Sequence, residues 1–261
     1  MCLFTLPTEL LLSIPTFLQT EKDISSLSRC STRFYTILTP WLYRYNSRHG
    51  ASSSLLWAVK TGNETTARLS IREGGDLAMR DDSGWSLLSR AAHNGHLAVV
   101  NTLVDTGKVE VNSKDTEGRT ALFWAAANGH DAVVKFLIGQ SADPSSVDAV
   151  GWTVLFLPAA NGYSSVVEKL LATGRVDVDS RDAEGRTPLY MAAAKGHEAV
   201  VRLLVQHGKV NLESKDSQGR SLSYWPMVNG YKHVRQILLD AEVTMHSPPW
   251  LFHRLSKKES F

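Results

Sequence analysis

The alternation of polar and apolar positions is clearest in the stretch Asp182–Lys215, DAEGRTPLYMAAAKGHEAVVRLLVQHGKVNLESK. A polar turn leads into a short run of small and apolar residues. A glycine break follows, then a second apolar run at helical spacing and an extended loop. Thr187 stands where a helix N-cap belongs, with Pro188 at the first helical position. The hydroxyl accepts an otherwise unpaired N–H there, and proline loses nothing by lacking one. Met191–Ala194 predict a narrow first helix, which Gly196 ends in the left-handed conformation without strain. Val200, Val201, Leu203 and Leu204 give a second helix one apolar face. Neither helix buries its face alone, and the chain answers by repetition. The turn glycines Gly84, Gly118, Gly151, Gly185 and Gly219 recur every 33 or 34 residues. The helix-ending glycines Gly62, Gly95, Gly129, Gly162, Gly196 and Gly230 keep the same step.

This period, this turn–helix–helix content and the pattern G-x-T-P-L-x-x-A-A-x-x-G-H resemble the ankyrin repeat over roughly Ser53–Asp240. The loops GKVEVNSKD, GRVDVDSRD and GKVNLESKD, beginning at Gly107, Gly174 and Gly208, are similar to the variant of ankyrin proteins of filamentous fungi. The resemblance implies an all-α fold in which about six repeats stack as a curved solenoid. Residues 51–80 read as a degenerate capping repeat, residues 81–240 as five further repeats, and residues 241–261 as a C-terminal tail. Ser86, Thr120 and Thr187 are the expected caps. Pro158 and Pro226 each replace the first of the paired small residues about five positions past the cap. Each removes a backbone hydrogen bond, so the first helices there are expected to start late or kink. Ser223 takes a core leucine position, which predicts a weakened last repeat. In the tail, Pro248-Pro249 blocks helix, and Trp250, Leu251 and Phe252 read either as a lid over the last repeat or as a peptide docking motif.

Residues 1–48 do not follow the repeat. Pro7 opens a helix, Glu9 complements its dipole, and Leu10, Leu11, Ile14 and Leu18 form an apolar stripe. After a polar break, Asp23 caps a second helical stretch carrying Ile24, Leu27, Cys30, Phe34 and Leu38. The run Leu6-Pro7-x-Glu9-Leu10-Leu11, with Ile14, Leu18, Asp23-Ile24, Leu27, Arg29, Arg33-Phe34 and Leu42-Tyr43, resembles the F-box. F-boxes are helical modules that dock on the Skp-type adaptor of cullin–RING ubiquitin ligases. The resemblance places Leu6, Pro7, Leu10, Ile14, Leu18, Ile24 and Leu27 at the adaptor contact. Pro15 departs from it and shortens the first helix. A plain helical cap over the first repeat would carry the same apolar stripes.

Composition narrows the chemistry. Lys+Arg number 28 against 26 Asp+Glu, with no block of one sign, so neither nucleic acid nor a membrane surface is expected as a partner. Cys2 and Cys30 are the only cysteines, which suits a reducing cytoplasmic or nuclear compartment. No HExxH, G-x-S-x-G, phosphate loop or zinc spacing occurs, so the sequence supports no enzyme, metal or cofactor. His96, His130 and His197 hold one equivalent position in separate repeats, where local hydrogen bonding at the glycine break is expected. Asp81, Asp115, Asp148, Asp182 and Asp216 read as turn residues.

Binding is where the sequence points. The ankyrin resemblance implies that the residue after each turn glycine and the two before each helix-ending glycine face a partner-binding groove. The turn positions are Trp85, Arg119, Trp152, Arg186 and Arg220, rich in the types that dominate interface hot spots. The helix positions include His93, Asn94, Asn128, Asn161 and Lys195. The arginines read equally as solvated family residues, whereas Trp124 and Trp225 read as core. The expected protein is a monomeric substrate receptor that joins a Skp-type adaptor through residues 1–48 to an unknown protein target on the repeats. An ankyrin scaffold with a helical cap is the alternative.

Overall fold

A computed structural model describes residues 53–246. The residues expected at the adaptor contact, between Leu6 and Leu27, Pro15, and the tail residues Pro248–Phe252 lie outside the described residues. Twelve helices run through the described residues in pairs, one pair per repeat. They are α1 Ser53–Thr61 and α2 Glu64–Arg72, α3 Leu87–His93 and α4 Leu97–Val104, α5 Ala121–Ala127 and α6 Asp131–Gly139, α7 Phe156–Asn161 and α8 Ser164–Ala172, α9 Pro188–Ala194 and α10 Glu198–His207, and α11 Tyr224–Val228 and α12 Lys232–His246. The only β pairing among the described residues is three isolated antiparallel bridges, Arg80 with Ser86, Val147 with Thr153 and Lys215 with Ser221, each closing a turn.

Local chemistry sets the helix starts. Ser86, Thr120 and Thr187 have extended backbones, and their hydroxyls accept from the amides of Ser89, Phe123 and Tyr190. Such a cap contributes about 1 kcal/mol. The two prolines act as expected. Thr153 and Ser221 occupy the cap positions, yet α7 begins only at Phe156 and α11 only at Tyr224. Their first bonds are the tighter Phe156 N–H to Thr153 carbonyl and Tyr224 N–H to Ser221 carbonyl, each 3.1 Å. Without an amide proton on Pro158 or Pro226, the helical ladder has no donor for a regular first turn.

The contacts divide the chain into two compact units, one ending at Thr116 and the other beginning at Glu117. In the first, α1 rests on α2 and α3, and α4 on α2 and α3. In the second, the first helices α5, α7, α9 and α11 form one row and the second helices α6, α8, α10 and α12 another. Leu122, Leu155 and Leu189 hold one repeat position between the rows and are fully buried, each contributing roughly 1.5–3 kcal/mol. Ser223 stands at that position in the last repeat and is half-buried. The last repeat therefore lacks one leucine of core and keeps a first helix of five residues. The last helix α12 does not stop at Asp240, where the tail was expected to begin, but runs to His246. Gln236 Nε2 donates to Asp240 one turn on, at 2.8 Å.

Candidate partner-binding surface

Four repeats open with an aspartate-locked turn, at Asp81, Asp148, Asp182 and Asp216. In the second unit, Asp148 Oδ1 accepts from the amides of Val150 and Trp152, Asp182 Oδ1 from Glu184 and Arg186, and Asp216 Oδ1 from Gln218 and Arg220. The aspartate amide in turn donates to the carbonyl four residues on. Asp81 makes the same turn in the first unit. These carboxylates are turn locks, as their spacing implied. The residues after the turn glycines, Trp85, Arg119, Trp152, Arg186 and Arg220, are all half-buried.

None of the three arginines is simply solvated. Arg186 Nε donates to Asp182 Oδ2 at 2.7 Å and its Nη2 to Glu184 at 2.8 Å. Arg220 Nε donates to Asp216 Oδ2 at 2.6 Å. Arg119 reaches the buried Asp148 of the next repeat at 3.0 Å. Two of them also lie on aromatic rings. The Arg119 guanidinium carbon is 5.2 Å from the Trp124 ring centre, and that of Arg220 is 5.0 Å from the Trp225 ring centre. This corrects the reading of both tryptophans as core residues: they are half-buried, each roofed by a guanidinium. Their position, four past the cap, is held by Leu157 and Met191 in the intervening repeats, both also half-buried. One row of first helices thus carries a Trp–Leu–Met–Trp stripe beside the arginine turns. The fixed repeat position of these four residues was the sequence signal that would have found it.

The turn tryptophans are half-buried as well. Trp152 stacks on Phe156 at 5.9 Å and 7°. In the first unit, Arg90 lies 4.3 Å over Trp85, and His93 meets its edge at 5.1 Å. Arg90 is itself held by Asp81. Braced aromatic faces of this kind lose little side-chain entropy on binding, which favours a protein partner.

The asparagines bond backbone carbonyls. Asn94 Nδ2 donates to the Lys60 carbonyl at 3.4 Å, and Asn161 Nδ2 to the Ala127 carbonyl at 3.2 Å. Asn128 bonds back to the Trp124 carbonyl of its own helix at 2.9 Å. Asn94 and Asn161 fasten one repeat to the last carbonyls of the one before. Lys195, by contrast, is exposed. His96 and His197 fasten repeats too: their Nε2 atoms donate to the carbonyls of Lys60 and Ala160 at 3.2 and 2.9 Å. Each ring lies flat over the preceding glycine. A Cβ on Gly62 or Gly162 would come within 2.6 Å of it, at a backbone φ of 76° or 78°. Among the described residues no three His, Cys, Asp or Glu side chains converge on a metal position.

The last two repeats share a buried polar chain that the sequence reading missed. The Tyr190 hydroxyl donates to Asp216 Oδ2 at 2.7 Å and accepts from the Trp225 indole N–H at 2.8 Å. Burial pushes the Tyr190 pKa up, and the Asp216 carboxylate adds to this. At Asp216 burial opposes the charge. The Tyr190 hydroxyl, the Arg220 amide and guanidinium and the Gln218 amide outweigh it and lower the pKa from 3.8 to about 2.

A paired-helix repeat with aspartate-locked turns, half-buried aromatic stripes and arginine rims defines a stacked-repeat binding protein. The family model described as Ankyrin repeats (3 copies) matches residues 55–148 and again 155–247, and the chain belongs to the ankyrin-repeat family. Proteins of this family are in general non-catalytic and bind other proteins. No curated protein matches the chain. No helix among the described residues is long and apolar enough to cross a membrane.

Proposed function

We propose that this chain is a non-catalytic adaptor and the substrate receptor of a Skp–cullin–F-box-type ubiquitin ligase. The repeats hold the target, and residues 1–48 engage the Skp-type adaptor. The ankyrin family and the Trp–Leu–Met–Trp stripe with its arginine rim support the target-binding half. The observation that carries the ligase half is the sequence run Leu6-Pro7-x-Glu9-Leu10 with Ile14, Leu18, Ile24 and Leu27 at F-box spacing. The mechanism is proximity: two binding surfaces on one chain bring target and ligase together. No side chain has to do chemistry.

The test is a pull-down of purified Skp-type adaptor by the full chain and by its Leu10→Asp/Leu27→Asp variant. The receptor reading expects capture by the full chain, at least tenfold weaker capture by the variant, and equal thermal midpoints. If neither captures the adaptor, the ligase half fails and the repeats remain a protein-binding scaffold. A lowered midpoint in the variant, with no capture by either, assigns residues 1–48 to a helical cap.

A further inference from the structure

Two residues of α11 repeat positions that the C-terminal unit otherwise covers. Tyr224 corresponds to Phe123, Phe156 and Tyr190, which are 3%, 1% and 3% exposed, yet it is 38% exposed. Met227 corresponds to Ala126, Ala159 and Ala193, each 0% exposed, yet it is 57% exposed. The face on which a following repeat would stack therefore carries a larger apolar side chain than its counterparts, not a smaller or polar one. Val228 beside it is also 57% exposed. A terminal repeat needs a polar outer face for solubility, so this one calls for a cover.

Arg235 narrows what the cover is. It stands where Val134, Val167 and Val201 are 0% exposed in earlier repeats, and it is exposed. A further repeat stacked in the same register would bury its guanidinium, at a desolvation penalty of several kcal/mol unless it supplied a paired acid. A short segment that covers Tyr224 and Met227 and leaves Arg235 at its edge meets no such penalty.

We propose that the occupant is this chain's own segment 247–261, seated through Trp250, Leu251 and Phe252. Helix α12 lies against α11 and ends at His246. The Tyr231 amide donates to the Pro226 carbonyl, so α11 sits beside the first turns of α12 and about 20 Å of helix separates its level from His246. The six residues from His246 to Phe252 span up to roughly 21 Å. Pro248 and Pro249 oppose a continuation of α12 that would carry the aromatic residues away along its axis. The basic residues Arg254, Lys257 and Lys258 come after the apolar triplet, and repulsion from Arg235 favours seating the triplet alone.

The experiment is methyl NMR of the full chain labelled at methionine. Seated rings shift the Met227 methyl signal upfield. Trp250→Ser/Phe252→Ser returns that signal toward its solvent value while Met79 and Met191 stay unchanged. The shift is the same after tenfold dilution, because the contact is within one chain. In addition, Met227→Ala speeds tryptic cleavage after Arg254 several-fold. An Met227 signal indifferent to the tail substitutions overturns the proposal, and so does an upfield shift that disappears on dilution, which would make the occupant a second copy.

Discussion

Replacing Tyr190 by phenylalanine removes one oxygen and leaves the ring in place. Tyr190 is buried, so its hydroxyl has no water to fall back on. Asp216 keeps the Arg220 guanidinium on Oδ2 and two backbone amides on Oδ1, losing one of four donors. A hydrogen bond to a charged group contributes about 1.5–3 kcal/mol. The Trp225 N–H loses its acceptor too, but that indole is half-buried and water replaces most of the loss. The expected destabilisation near pH 6 is about 2 kcal/mol.

The same change has a signature in pH. Asp216 has a folded pKa of about 2 against an ordinary 3.8. A depressed carboxylate pKa contributes stability that is fully present above 3.8 and lost as pH falls toward 2. With 1.36 kcal/mol per unit, the whole contribution is about 2 kcal/mol, and the Tyr190 hydroxyl supplies a share of it. The gap between parent and Tyr190→Phe should therefore shrink by about 1 kcal/mol between pH 5 and pH 2. Urea unfolding of both full chains across that range measures the gap. Amide exchange at Gln218 and Arg220 localises it, because repeat arrays lose structure from one end. A gap below about 0.5 kcal/mol at pH 6, or one independent of pH, would refute the reasoning.

Other substitutions test separate parts of the fold. Gly162→Ala places a methyl at φ 78° against the His197 ring, and should cost at least about 1–2 kcal/mol in urea unfolding. Gly162→Ala/His197→Ala should recover the part due to the ring and not the part due to the backbone. Pro158→Ala restores the missing donor, so α7 should start near Val154. Amide exchange then shows protection at residue 158, with stability higher by about 1 kcal/mol. Asp148→Ala leaves two amides and Arg119 without their acceptor, and should cost about 2–4 kcal/mol. The exposed Asp82→Ala should stay within about 0.5 kcal/mol.

The repeat register, the caps at Ser86, Thr120 and Thr187, the left-handed glycines, the aspartate turns and the late helices at Pro158 and Pro226 were legible in the sequence. Each rests on chemistry within a few residues of chain, where residue type restricts backbone conformation directly. The family followed from the same regularity. The candidate site was legible only as a set of positions. The arginines at 119, 186 and 220 were expected at the rim, and their carboxylate partners were not foreseen. Trp124 and Trp225 were assigned to the wrong environment, and Asn94 and Asn161 turned out to fasten repeats together.

Those outcomes depend on neighbours far along the chain. Asp216 meets Tyr190 across 26 residues, and the Ala160 carbonyl meets His197 across 37. A tryptophan four past its cap has the same local sequence signal whether it faces core or rim. Only the packing of neighbouring turns and repeats decides how much of it water reaches, and whether a guanidinium lies over its ring. Local chemistry thus determined the unit and its spacing. Tertiary structure decided which faces of that unit remain to be used.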